Sequence, residues 1–264
     1  MLTKRIISGL LFLPIFYLVA WKLDPVYFSA LVLGAVVIGQ YEFYRMVKAR
    51  GIMPNMVLGI AIGALMIVES YQPVVFGAGN YLAAFLILIL AARLFSPRPV
   101  DGAIEDVAAT VFGIFYVAFL FSFQVAIRLS PDGKEWLVFL FFIIWASDIG
   151  AYSIGVPFGR HRLYEKVSPK KSIEGLIGAL AASAGMAVLC KVWFMPSAPA
   201  GELIAIALGL ALVGTVGDLA ESLIKRAAGV KDSGAIIPGH GGVLDRMDSM
   251  LFAAPVLYYY LRIR

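Results

Sequence analysis

Apolar runs recur along the whole chain, broken by short polar connectors. They fall at about Ile6–Ala20, Val26–Gln40, Val57–Ser70, Tyr81–Leu94, Val107–Gln124, Trp136–Gly155, Ile173–Val192, Leu203–Leu219 and Met247–Leu261. Most approach the ~17–25 residues that a helix needs to cross a bilayer. The pattern predicts an all-α, polytopic integral membrane bundle of about nine transmembrane helices. Tight connectors such as "KLDP" and "YQPVVFGAGN" suit turns between antiparallel helices. The opening "MLTKRIISGLLFLPIFYLVAW" begins like a signal peptide but lacks a small-residue cleavage site, and it reads as a retained first span. With no internal repeat and no low-complexity linker, residues 1–264 read as one integral-membrane domain.

Composition agrees. Of 264 residues, 61% are hydrophobic and 15% charged, against roughly 45–50% and 25% in soluble domains. The one cysteine, Cys190, excludes an intramolecular disulfide and reads as a small core residue. The net charge of +5 is modest, and no nucleic-acid partner is expected. The positions of Lys and Arg are more telling. An N-terminus in the cytoplasm puts most of them on the cytoplasmic side, together with the two most polar connectors, 156–172 and 220–246.

Ionisable residues at membrane depth cost several kcal/mol and call for a reason. Three clusters stand out. In "WASDIGAYSIGVPFGR", Asp148, Tyr152 and Gly155 share one helix face, as packing partners or as one wall of a site. In "SPKKSIEG", Ser168 and Pro169 look like an N-cap and first helical position. Lys170 and Lys171 would then fall in the first turn, where they serve an anion site or anchor the span by its charge. In the third cluster, Asp218, Glu221, Ser222 and Lys225 form one polar stripe on a helix. A glycine-rich loop, "KDSGAIIPGHGG", follows, and Asp245 and Asp248 stand i, i+3 at the start of the last run. Two acidic pairs with lysines and arginines nearby suit a divalent cation with phosphate. A salt-bridge network satisfying buried charge is the alternative. His240 has no His or Cys partner at zinc-ligand spacing.

These residues carry a resemblance. Ser222, Lys225-Arg226, Lys231-Asp232, Gly234, Pro238, His240-Gly241-Gly242, Asp245-Arg246 and Asp248 follow the pattern S-x-x-K-R, K-D-x-G, P-x-H-G-G, D-R-x-D. The segment is similar to the signature of the phosphatidate cytidylyltransferases, also called CDP-diacylglycerol synthases. The stretches around Asp148 and Lys170 resemble two further blocks of that family.

The resemblance implies an enzyme that transfers CMP from CTP to phosphatidic acid, giving CDP-diacylglycerol and pyrophosphate for phospholipid synthesis. It further implies Mg²⁺ dependence, a second monovalent cation (K⁺), a homodimer, and a bacterial inner membrane with the active site on the cytoplasmic face. On that reading residues 136–264 hold the catalytic spans and loops. Residues 1–125 hold N-terminal spans that shape a lipid cavity or a dimer scaffold. Asp218, Glu221, Asp245 and Asp248 are the expected metal ligands. Lys225, Arg226 and Arg246 neutralise phosphate charge. Lys170, Lys171, Ser222, Lys231, Asp232, His240, Gly241, Gly242 and Asp148 line the substrates. A secondary transporter would also carry intramembrane charge, but usually in both halves of the chain. Here polar residues crowd into 145–250. The motif of the CDP-alcohol phosphotransferases, which consume the expected product, is absent.

Overall fold

The computed structural model describes residues 14, 16–72, 81–234, 236 and 241–264. Among the described residues, after a π-helical turn at Leu18–Lys22, eight helices follow the apolar pattern: α1 (Pro25–Lys48), α2 (Met56–Tyr71), α3 (Tyr81–Leu94), α4 (Ala103–Leu129), α5 (Gly133–Phe158), α6 (Ile173–Trp193), α7 (Ala200–Ala227) and α8 (Leu244–Ile263). Among the described residues α1, α4, α5, α6 and α7 are long and apolar enough to cross a membrane, and α2 and α3 are shorter apolar helices. The chain is a polytopic helical membrane protein. The first predicted run, Ile6–Ala20, falls largely outside the described residues.

Local chemistry sets where helices start. Asp24 caps α1, its Oδ1 accepting from Val26 N at 2.9 Å, and Pro25 takes the first helical position. Asn55 caps α2 by accepting from Leu58 N at 3.2 Å. The "SPKKS" segment departs from the sequence reading. Ser168–Ser172 is a strand, β2, paired antiparallel with β1 (Arg162–Tyr164). Lys170 and Lys171 are therefore not in a helical first turn. Ser172 is the N-cap of α6: its backbone is extended and its Oγ accepts from Gly175 N at 3.1 Å. Ser-Pro carries the same local start signal, but Pro169 is equally at home in a short two-stranded ribbon with an open edge. The all-helical expectation thus needs one small hairpin added.

The described chain forms two compact units. The first comprises residues 1–129 and 227–246. Its core is built on one face of α1. Tyr44 is fully buried and donates to Thr110 O at 2.9 Å, and Gln40 Nε2 donates to Gly59 O at 3.1 Å. A Cβ at Gly59 would overlap the Tyr44 ring, and one at Gly63 would overlap the Gln40 amide, so glycine lets α2 close on α1. A π-helical turn at Ile114–Phe119 interrupts α4. Asp106 on α4 accepts from Met53 N (2.7 Å) and pairs with Arg93 (3.1 Å) on α3.

The second unit comprises residues 130–226 and 247–264. Its spine is α5 against α6. A Cβ at Gly150 would overlap Gly178 O, and a Cβ at Gly178 would lie 2.6 Å from Gly150 O. The two helices therefore meet backbone to backbone. Trp136, 2% exposed, packs on Tyr260 and under the Arg264 guanidinium, which also pairs with Glu202 at 3.1 Å.

Candidate active site

Within the second unit, helical periodicity places Asp218, Glu221, Ser222 and Lys225 along one face of α7. Lys225 Nζ stands 3.2 Å from Glu221 Oε2. Glu221 is fully buried and the Lys225 side chain is 12% exposed, so the charges compensate each other away from water. Strand β2 delivers Lys171, whose Nζ meets Asp218 Oδ2 at 2.5 Å. Helix α8 delivers Asp248. Its carboxyl lies in the electrostatic field of Asp218, Glu221 and Lys225. Gly217 makes that approach possible, because a Cβ there would stand 2.6 Å from Asp248 O and 3.0 Å from Phe252 Cβ.

Asp218, Glu221 and Asp248 thus gather against the ammonium groups of Lys171 and Lys225. Carboxylates gathered in one field favour a cation or a proton among them. Among the described residues no three His, Cys, Asp or Glu side chains form a ready-made metal cage.

The first unit holds the rest of the signature that the structure describes. Asp245 Oδ2 accepts from Ser233 N (2.9 Å), Ser233 Oγ (2.9 Å) and Gly242 N (2.8 Å). Asp245 and Asp248, three positions apart, engage different partners. Gly241 has φ +86°, in the left-handed region, and a Cβ there would lie 2.6 Å from Asp245 Oδ2. Glycine is required on both counts. His240 and Pro238 lie outside the described residues.

Lys170, Arg226, Lys231, Asp232 and Arg246 are exposed, as is Asp148 on α5. Three residues that the sequence reading passed over are engaged. Glu42 accepts from Val243 N and Leu244 N, each at 3.1 Å. Glu174 accepts from Arg160 N at 3.1 Å and meets His161 Nδ1 at 2.6 Å, tying the start of the hairpin to the first turn of α6. Ser233, an unspecified position of the signature, bridges Asp245 and Glu42. Glu42 carried a signal: it is a carboxylate next to an apolar run. On α7 and its neighbours an apolar groove of about 420 Å³ is lined by Leu163, Leu176, Leu212, Val216 and Leu219.

The model of the cytidylyltransferase family matches residues 3–264. A phosphatidate cytidylyltransferase of Synechocystis sp. is 35% identical over 98% of this chain and 96% of its own length. That of Bacillus subtilis is 30% identical over 98% and 97%. That of Staphylococcus aureus is 41% identical over 58% of both chains. The chain belongs to the cytidylyltransferase family, and it is a nucleotidyltransferase.

Proposed function

We propose that the protein transfers CMP from CTP to phosphatidic acid, forming CDP-diacylglycerol and pyrophosphate. The observation that carries this reading is the α7 cluster: a signature stripe whose carboxylates and ammonium groups converge with Asp248 and Lys171, in a chain related over its full length to phosphatidate cytidylyltransferases.

In the reaction a phosphate oxygen of phosphatidate forms a bond to the α-phosphorus of CTP. The bond from that phosphorus to the β-phosphate bridging oxygen breaks, and pyrophosphate leaves. Phosphatidate is ionised at neutral pH, so the protein need not supply a base. Its task is positioning and charge neutralisation. Asp218, Glu221 and Asp248 would hold Mg²⁺, which would offset phosphate charge when bound. The monovalent cation would draw on the same acidic set. Lys225 pairs with Glu221 and adds positive charge to the cluster. Lys171 orients Asp218. Lys170, Lys231, Arg226 and Arg246 are exposed and basic, suited to triphosphate and lipid phosphate, with Arg able to grip two oxygens at once. Ser222, Asp232, His240, Gly241, Gly242 and Asp148 complete the substrate-lining set. An acyl chain of the lipid fits the apolar groove beside Leu219. The reading further places the protein in a bacterial inner membrane with its site toward the cytoplasm, as a homodimer with about nine spans.

The test is direct. Purified protein in detergent is incubated with α-labelled CTP, phosphatidate and Mg²⁺. Label should move into lipid with release of pyrophosphate. No CTP-dependent labelling of phosphatidate by folded protein overturns the reading.

A further inference from the structure

Glu42 lies on α1 and is 2% exposed. Burying a carboxylate is costly unless its lone pairs are filled. Here they are filled by the main chain of a segment some two hundred residues away. Oε1 accepts from Val243 N at 3.1 Å, and Oε2 accepts from Leu244 N at 3.1 Å and from Ser233 Oγ at 3.4 Å. Leu244 opens α8. Glu42 therefore places a negative charge where the first N–H groups of that helix lack intrahelical partners and where the helix dipole is positive.

Asp245 grips the same segment by other donors, Ser233 N, Ser233 Oγ and Gly242 N. The two carboxylates draw Ser233 and Gly242–Leu244 together. The signature glycines follow from this. A Cβ at Gly234 would lie 2.5 Å from Glu42 Oε1 and 2.9 Å from its Cδ. A Cβ at Gly242 would lie 2.5 Å from both Glu42 oxygens. Carboxylate and glycines occupy one volume, so neither can change alone.

We infer that Glu42 is a positioning residue for the signature segment: its carboxylate fixes Ser233–Gly234 against Gly242–Leu244, and with them the start of the helix that carries Asp245 and Arg246. An apolar residue of similar size would avoid the cost of burial but would leave Val243 N and Leu244 N unanswered. This gives an N-terminal helix a specific part in the reaction. The inference rests on the proposed cytidylyl transfer for its activity readout only.

The experiment compares full-length wild type with Glu42→Gln, Glu42→Ala, Gly234→Ala and the Glu42→Ala/Gly234→Ala double variant, all in detergent. Amide hydrogen exchange is followed by mass spectrometry, alongside CTP-dependent product formation. Glutamine at 42 turns an amide N–H toward a backbone N–H. Exchange over 242–246 should rise, and kcat/KM for CTP should fall, each by about tenfold or more, the scale of a lost hydrogen bond to a charged group. Peptides from α5 and α6 should exchange as in wild type. Gly234→Ala should act likewise alone, and should add less than about twofold once Glu42 is alanine, because the overlap is gone. Wild-type exchange and turnover in Glu42→Gln overturn the inference, as does full additivity in the double variant. If the Glu42 variants do not fold, Gly234→Ala decides: wild-type exchange and turnover in it overturn the inference, and the expected changes support it. A folded wild type without CTP turnover sinks the proposed reaction instead, and the exchange measurements still decide the role of Glu42.

Discussion

Lys171 Nζ and Asp218 Oδ2 meet at 2.5 Å, joining strand β2 to helix α7. Because β2 is a strand, consecutive side chains leave it on opposite faces. Lys171 turns to Asp218, and its neighbour Lys170 is exposed. The adjacent lysines therefore have different tasks. Lys171→Ala should lower kcat by roughly 10²-fold, since it disturbs a carboxylate that the proposed reaction uses beside the phosphates. Lys170→Ala should chiefly raise KM for CTP or lipid. Steady-state kinetics on both variants checks this, and equal effects on kcat would contradict it.

Asp218→Asn and Asp248→Asn each remove one negative charge from the acidic cluster. Both should lose roughly 10²–10³-fold in kcat. The residual activity should require higher Mg²⁺, and chelation of Mg²⁺ should abolish turnover of the wild type. Full activity at the wild-type Mg²⁺ concentration in either variant would remove that residue from the metal-holding set.

Glu221 is fully buried against Lys225. Lys225→Met strands a buried carboxylate, and this should cost about 3–5 kcal/mol. Pairing it with Glu221→Gln should recover much of that loss, although neither protein should regain activity. Thermal unfolding in detergent measures the stability, and the double variant separates charge burial from lost packing.

Ser172→Ala removes the cap of α6 and should destabilise the protein by about 1 kcal/mol. Ser168→Ala, at the other end of the strand, should stay within about 0.5 kcal/mol of wild type. The reverse order would mean that the helix begins at Ser168 after all.

Much of this architecture can be read from the chain. Helix existence follows from apolar runs, because a bilayer demands them, and the α7 stripe follows because i, i+3, i+4 and i+7 share a face whatever the tertiary structure. The start of α6 is harder to read. Ser168-Pro169 and Ser172 carry the same local signal, and only pairing with Arg162–Tyr164 selects between them. The partnership of Lys171 with Asp218 has no local signature, since 47 positions separate them in a chain with many other charges. Glu42 shows the deeper gap. Hydropathy marks a carboxylate beside an apolar run as expensive, but it does not say which distant N–H groups offset the expense. Asp245 and Asp248 look equivalent at i, i+3, yet Ser233 and Gly242 engage one while the other lies in the field of Asp218, Glu221 and Lys225.

The seam between α5 and α6 has its own consequence. At Gly150 and Gly178 each backbone occupies the room a methyl group would need on the other. Neither position touches the acidic cluster, yet neither tolerates any other amino acid without parting the helices. Over evolutionary time these two glycines should be as immovable as Asp218. A ranking of positions by invariance would then place steric seams and chemical groups side by side, and only geometry tells them apart.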